Sequence, residues 1–154
     1  MSIPFMKEPD TEAFEELPAR AVSPYRNLVT PEGLAQIETE MARMQAEFQQ
    51  AQKANDRVAI ARASRDLRYW SVRRTSAELV PPMATTDVVH FGNTVTILRE
   101  DGRKLRYRIV GEDEADPVKG MISHASPLAR ALIGKRIGEV VAAGQGEAEI
   151  AAIE

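Results

Sequence analysis

The most restrictive feature of this sequence is a change in the period of its apolar residues at Pro81-Pro82. Before the two prolines, apolar residues recur at alternating intervals of three and four, which is the heptad spacing of a narrow helical seam. The first series comprises Leu34, Ile37, Met41, Met44, Phe48 and Ala51, and the second comprises Ile60, Ala63, Leu67 and Trp70. After the prolines the period is two, which is typical of strands. The chain therefore contains a helical part followed by a sheet.

The two heptad series predict two helices that fold back on each other. Thr30-Pro31-Glu32 is a helix start, with Thr30 as N-cap and Pro31 at the first helical position. The seam stops at Ala54-Asn55-Asp56, where Asn and Asp favour a turn, and a second helix is predicted from Arg57 to Leu79. Two helices joined by so short a turn form an antiparallel hairpin.

Beyond the prolines, the alternating segments predict a small, mainly antiparallel sheet with one short helix. The predicted strands are 88–91, 94–98, 105–110, 121–124, 139–143 and 149–153, with a hairpin turn at Asp101-Gly102. The helix, 127–133, has Ser126 as N-cap, Pro127 at its first position and Gly134 for a left-handed C-terminal end. The fold class is therefore α+β. The predicted domains are an acidic, proline-containing flexible arm (1–28), a coiled-coil hairpin (29–80), a linker (81–87) and the sheet domain (88–154).

Composition excludes several classes of function. The chain has no cysteine, so it has no disulfide and no thiolate metal site. No apolar run approaches the length of a membrane span and no signal peptide is recognisable, so we expect a cytoplasmic protein without membrane contact. The net charge of −3 argues against duplex DNA as the main partner. The charge is segregated, however: residues 57–74 contain six arginines and one acid, Asp66, for +5.

One stretch, Ile109 to Gly134, resembles a known family. Together with residues 27–34, it is similar to the bacterial GreA/GreB transcript cleavage factors. The matching positions at the start of the first helix are Asn27, Val29, Thr30, Gly33 and Leu34. In the second half of the chain they are Ile109-Val110-Gly111, Ile122-Ser123, Ser126-Pro127, Ala129, Ala131-Leu132, Gly134-Lys135 and Gly138-Glu139-Val140. The resemblance implies that the sheet domain is FKBP-like.

The resemblance also implies a function. Such factors are expected to bind bacterial RNA polymerase at its secondary channel and to act on paused or backtracked complexes. An acidic hairpin tip helps to hold the second Mg²⁺ of the polymerase, which itself cleaves the RNA. On this interpretation the protein is not an independent enzyme and has no intrinsic cofactor. It contacts RNA or DNA only within the elongation complex.

At the tip, Asp56 matches the aspartate of the family pattern and is the candidate catalytic and Mg²⁺-assisting carboxylate. The Ser-Glu-Asn part of that pattern has no counterpart here, because Val58, Ala59 and Ile60 stand in its place. The alternative interpretation of Asp56 is an N-cap of the second helix. Asp66 is interpreted as an intrahelical partner of Arg62, and Trp70 as part of the seam rather than a base-stacking platform.

The remaining candidate residues belong to two surfaces. Arg57, Arg62 and Arg65 either form a solvated helix face or steer the hairpin toward RNA or acidic channel walls. The resemblance assigns Glu112, Asp113, Ser123, Ser126 and Pro127 to the surface that docks on the polymerase. A purely structural role in the turn and the cap is the alternative for them.

Three functions remain open at this point. The first is a factor that stimulates transcript cleavage by the polymerase. The second is a secondary-channel regulator that lacks this activity and competes with true cleavage factors, which the missing tip acid favours. The third is an interaction module that has lost polymerase binding.

Overall fold

A computed structural model describes residues 17–154 and divides the chain into two compact units. One unit contains Ile37–Ser76 together with residues 17–24, and the other contains Tyr25–Gln36 and Ala77–Glu154. The acidic part of the predicted arm, residues 1–16, lies outside the described residues. The predicted domain boundaries stay predictions, although the contacts group the start of the first helix with the sheet. No helix within residues 17–154 has the length and apolarity needed to cross a membrane.

The helical part consists of α1 (Pro31–Lys53) and α2 (Arg57–Ser76). Thr30 caps α1 as predicted, since its Oγ1 accepts a hydrogen bond from the Gly33 N–H at 2.9 Å. On α1 the seam is confirmed, because Ile37, Met44 and Ala51 are buried. On α2 the burial follows the predicted series only in part: Ala63 is buried, but so are Ala61 and Arg73, which lie outside that series. An ion pair of 2.9 Å joins Arg74 near the end of α2 to Glu38 near the start of α1, which requires an antiparallel hairpin.

Helix α2 ends three residues before the predicted Leu79. The hydroxyl groups of Thr75 and Ser76 donate back to the carbonyl groups of Ser71 and Val72, and the chain then becomes extended. Strand β2 (Glu78–Leu79) pairs in parallel with β1 (Leu28–Val29), a strand that the sequence did not predict. The prolines at 81 and 82 therefore follow a short strand rather than the helix itself.

The sheet has five strands in the order β5-β4-β3-β7-β6. These are β3 (Thr94–Arg99), β4 (Lys104–Val110), β5 (Met121–Ser123), β6 (Val140–Ala142) and β7 (Glu147–Ile153), with α3 at Pro127–Leu132. Three of its pairings are antiparallel, but β4 and β5 are parallel, so the sheet is mixed. The α+β fold class is confirmed.

The predicted strand 88–91 does not exist. The Val89 N–H donates to the carbonyl group of Lys135, and the Val89 carbonyl group accepts from Gly134, so this segment pairs with the loop after α3. A turn follows at once: Gly92 has φ +92°, and the Asn93 side chain accepts from the His90 N–H at 2.7 Å. Val89 and Phe91 are nonetheless buried in the core, which explains why their pattern resembled that of a strand.

The core of this unit lies between α3 and the sheet. The core residues are mostly the apolar members of the period-two and helical patterns, whose side chains face the interior. They are Val89, Phe91, Val95, Ile97, Ile109, Ile122, Ala129, Leu132, Val141, Ala143, Ala148, Ile150 and Ile153. The Asp101-Gly102 turn is confirmed, with Gly102 at φ +89° and its N–H bonded to the carbonyl group of Arg99.

Candidate functional site

The tip of the hairpin is built around Asn55 and Asp56. Asn55 takes the left-handed conformation with φ +56°, which Asn tolerates better than most residues and which reverses the chain between the helices. Asp56 Oδ1 accepts a hydrogen bond from the Ala59 N–H at 3.1 Å. The side chain is therefore the N-cap of α2, as the structural interpretation predicted.

The cap leaves the second carboxylate oxygen of Asp56 available, and the side chain is exposed. Within residues 17–154, no three His, Cys, Asp or Glu side chains lie close enough together to hold a metal ion. Asp56 can thus offer one carboxylate to a cation whose other ligands come from another molecule. The role of Asp56 in metal binding stays a prediction.

A groove of about 480 Å³ runs beside the tip. Its charged side chains carry both signs: Glu47, Asp56 and Asp66 are acidic, whereas Arg62 is basic. Of the three predicted channel-facing arginines, Arg57 and Arg62 are exposed, and Arg65 donates to Asp66 Oδ1 at 3.2 Å. The tip therefore presents a mixture of charge rather than an acidic cluster.

Asp66 does not pair with Arg62 as predicted. Its Oδ1 accepts instead from Arg65 and, at 3.3 Å, from Arg20. The Arg20 guanidinium also lies 3.9 Å from the centre of the Tyr69 ring. Sequence patterns could not reveal this contact, because Arg20 precedes Asp66 by 46 residues and belongs to neither heptad series. Trp70 is half-buried and meets Tyr69 edge to face, with ring centres 5.1 Å apart.

The predicted docking residues of the second unit come together at one edge of the sheet. Strands β4 and β5 are parallel neighbours, with Val110 opposite Ser123, so the chain leaves both strands at the same edge. Glu112 and Asp113 follow β4, whereas Ser126 and Pro127 follow β5. We call these residues, together with Ser123, the docking edge. Their role in binding a partner stays a prediction.

The serines of the docking edge also shape its backbone. Ser123 Oγ accepts from the Ala125 N–H at 3.0 Å, and Ser126 Oγ accepts from the Ala129 N–H at 3.3 Å. Pro127 occupies the first position of α3 and is exposed. These bonds confirm the predicted cap of α3. Pro127 itself is an exposed apolar side chain at the start of this helix.

His124 follows Ser123 of the docking edge in the sequence and is partly buried. Burial lowers the pKa of its imidazole below the ordinary 6.5, against the opposing effect of the nearby Glu112 carboxylate. The ring meets Phe91 edge to face at 5.6 Å. Its Nε2 is buried and has no hydrogen-bond partner among the described residues.

A buried hydrogen bond that the sequence did not predict connects the start of α1 to the turn after β4. The Thr30 hydroxyl group, while capping α1, donates to Glu114 Oε1 at 2.6 Å, and both residues are buried. A Cβ on Gly33 would lie 2.7 Å from the same oxygen, and a Cβ on Gly111 would lie 2.5 Å from the carbonyl oxygen of Leu28. In the sequence, only Gly33, three residues after the Thr30 cap, indicated that another group approaches the start of α1 closely.

An ion pair supports the same junction. Arg108 on β4 donates to Glu32 at 3.0 Å, and this hydrogen bond lowers the pKa of the Glu32 carboxyl group. Arg26 and Glu78 form a second pair of 2.6 Å beside β1 and β2. We call Thr30, Gly33, Gly111 and Glu114 the junction. The junction connects residues 30–33 to the sheet domain through contacts between residues that are far apart in the sequence.

Comparison with known proteins gives matches over the second half of the chain. Residues 84–154 match the family described as "Transcription elongation factor, GreA/GreB, C-term". A transcription elongation factor GreA of Rhodopseudomonas palustris is 58% identical over 73 residues, which are 44% of this chain and 46% of that protein. A transcription elongation factor GreB of Neisseria meningitidis is 43% identical over 96 residues, covering 58% of this chain and 59% of that protein. The matched region spans about half the length of these curated relatives.

One solved structure is similar over more of the chain. GreA factor homolog 1 (Gfh1) of Thermus thermophilus covers 84% of this chain and 99% of its own, with 19% identity and a TM-score of 0.41.

Proposed function

We propose that this protein is a transcription elongation factor that binds bacterial RNA polymerase at the secondary channel, because residues 84–154 match the GreA/GreB C-terminal family. There it acts on paused or backtracked complexes. The observation that carries the proposal is the docking edge, where the family-matching residues after β4 and β5 lie side by side on the sheet. An exposed proline at a capped helix start, on the sheet edge from which an acidic turn also leaves, is a surface that a partner can recognise.

In this proposal the hairpin delivers its tip to the active site of the polymerase. The protein supplies position and charge, and the polymerase supplies the catalytic Mg²⁺ and cleaves the RNA. Asp56 keeps one oxygen on the cap of α2 and presents the other to the cation. A carboxylate added to a weakly held Mg²⁺ stabilises the charge that develops during two-metal hydrolysis.

A second candidate function has an observation of its own. The residue two positions after Asp56 is Val58, an apolar side chain that is 40% exposed, where the family pattern has serine. Ala59 follows it, where the family pattern has glutamate. A tip with one capping aspartate and an exposed valine can occupy the channel without holding a metal ion. The protein would then compete with cleavage factors instead of assisting the polymerase.

A stalled elongation complex distinguishes the two functions. The complex is incubated with Mg²⁺ and the purified protein, and shortening of the labelled RNA is followed on a gel. A cleavage factor shortens the RNA in proportion to its concentration. A competitor leaves the RNA intact and suppresses cleavage by an added GreA-type factor. If the protein has neither effect at saturating concentration, the proposed function is wrong.

A further inference from the structure

Strand β6 is the outer strand on one side of the sheet, and part of its backbone faces away from β7. The Ala143 N–H donates to the Gly146 carbonyl group at 2.8 Å, which fixes the residues that bond across this antiparallel pair. Alternate residues of such a pair bond to the neighbouring strand. The N–H and carbonyl groups of Val140 and Ala142 therefore point outward. Within residues 17–154, no backbone group bonds to them there.

This outward edge lacks most of the features that protect the edges of natural sheets. Such edges usually carry charged side chains or proline, or a loop covers them. The side chains of Val140 and Ala142 are uncharged and exposed, and Val140 is 57% exposed. Val141, between them, faces the core. An open backbone edge beside an exposed valine is suited to the addition of a strand, and the three-residue length of β6 limits that strand to a short segment.

A groove of about 340 Å³ lies beside β6 on the face of the sheet that is opposite the core. The strand register places Leu98 opposite Glu149 and Glu149 opposite Val140, so these side chains form one row across three strands. Glu100 and Glu147 also line the groove. The three glutamates are exposed, and none of them forms an ion pair with another described residue. We call Val140, Ala142 and the three glutamates the β6 edge.

The charge of the groove indicates which occupant fits the β6 edge. Arg99 is the basic residue among those that line it, and its guanidinium group already donates to the Ala143 carbonyl group at 2.7 Å. A strand added to β6 would lie about 10 Å from β7, because neighbouring strands are about 4.8 Å apart. Long basic side chains that lie over Val140 can therefore meet Glu149 and Glu147.

A second copy of the chain fits the β6 edge less well than a basic segment does. Antiparallel pairing of two β6 strands would place Glu147 and Glu149 of both copies on the same face of one joined sheet. No basic side chain of β6 would lie between these four carboxylates, since β6 is Val140–Ala142. Their mutual repulsion disfavours this arrangement.

We propose that the β6 edge binds an extended basic segment of a partner protein, which joins the sheet as an antiparallel strand. The backbone of the segment pairs with Val140 and Ala142. Arginine or lysine side chains at alternate positions of the segment bind Glu147 and Glu149. The β6 edge is at the opposite side of the sheet from β5 and the docking edge, so this binding does not depend on the proposed function.

The probe is a fluorescein-labelled octapeptide of alternating arginine and threonine, and fluorescence anisotropy measures its binding to the full-length protein. In the proposed pairing, the residues whose side chains share the face of Val140 also direct their N–H groups at β6. N-methylation of the arginines therefore removes the pairing, whereas N-methylation of the threonines leaves it intact. We expect the first methylated peptide to bind at least about tenfold more weakly than the second.

The two methylated peptides have the same charge, so they separate strand pairing from simple electrostatic attraction. Equal binding by the two would overturn the proposal. Absence of binding by the unmethylated peptide at millimolar concentration would overturn it as well. Self-association of the protein through this edge, seen by analytical ultracentrifugation and abolished by Val140→Pro, would assign the edge to a second copy and contradict the proposal.

Three variants of the full-length protein test the same contact from the other side. Val140→Pro removes an outward N–H and no bond to β7, and it should weaken binding of the unmethylated peptide about tenfold. Glu149→Gln should weaken binding by up to about fivefold. The matched control, Asp87→Asn, removes an exposed carboxylate before the sheet and should change nothing.

Circular dichroism checks that each variant is folded. If Val140→Pro is unfolded, the methylated peptides and Glu149→Gln still decide the outcome. Equal binding to the unchanged protein and to Glu149→Gln would overturn the proposed charge contact, as would equal losses in Glu149→Gln and Asp87→Asn.

Discussion

Asp56 is the side chain on which the two candidate functions differ. Its Oδ1 caps α2 through the Ala59 N–H, so the residue has a structural role whatever its chemical role is. Asn caps a helix about as well as Asp but binds Mg²⁺ poorly, and Ala does neither. Substitution by each of these residues therefore separates folding from chemistry.

For Asp56→Asn, we expect unchanged stability and unchanged affinity for polymerase. Asp56→Ala should lose about 0.5–2 kcal/mol of unfolding free energy, measured by urea denaturation, because the cap is lost. If the protein stimulates cleavage, both variants should abolish it in the stalled-complex assay. Strong cleavage by Asp56→Asn would show that another group carries the activity.

His124 makes the stability of the protein depend on pH. Its folded-state pKa is lowered by burial, so on acidification the unfolded state takes up the proton first. Stability is therefore complete above the ordinary pKa of 6.5 and decreases as the pH falls below it, toward the lowered folded-state value. We expect His124→Gln to lose this part of the dependence between about pH 7.5 and about pH 5.5. Thermal unfolding across that range tests it, and identical slopes for both proteins would contradict it.

At the scale of elements, the junction holds the first turn of α1 against the sheet domain. Thr30, Gly33, Gly111 and Glu114 form one contact between the first turn of α1 and the turn after β4. Gly111 is required because a Cβ there would overlap the backbone oxygen of Leu28, whereas a Cβ on Gly33 would displace the buried Glu114 carboxylate. The parallel pair β1 and β2 holds the chain segments on either side of the hairpin together in the same unit.

The junction predicts a coupled pair of substitutions. Gly33→Ala should destabilise the protein, because its Cβ would lie 2.7 Å from Glu114 Oε1. Glu114→Ala should cost about 1–3 kcal/mol, because it leaves the buried Thr30 hydroxyl group without its acceptor. In the Glu114→Ala background, Gly33→Ala should cost much less than in the unchanged protein. Urea denaturation of the four proteins measures the coupling, and additive losses would refute the contact.

At the scale of the whole molecule, helix caps and turns, which involve residues three or four positions apart, were predicted correctly from the sequence. The caps by Thr30 and Ser126 and the turn at Asp101-Gly102 are formed by neighbours in the sequence, so residue type alone identifies them. The contacts at the junction and around Asp66 differ from these, because they join residues that are far apart in the sequence. Thr30 meets Glu114 across 84 residues and Arg20 meets Asp66 across 46, and no local pattern records which distant groups will face each other.

The same limit explains the errors in the predicted elements. Val89 and Phe91 are buried at alternate positions, as in a strand, but their backbone pairs with the loop after α3. The end of α2 at Ser76 depends on pairing of the next residues with β1, which lies far away in sequence. Burial patterns could be predicted from the sequence, whereas the partner of each backbone group could not.

The central claim is that the docking edge binds RNA polymerase, and equilibrium binding of the full-length protein to the purified enzyme tests it most directly. Pro127→Asp changes the exposed residue at the first position of α3, where an acid is compatible with the helix. Lys104→Asp, an exposed change at the start of β4, is the control. We expect micromolar or tighter binding of the unchanged protein, a loss of at least about tenfold in Pro127→Asp and no loss in the control. Undetectable binding of the unchanged protein at micromolar concentration, or equal losses in both variants, would contradict the account.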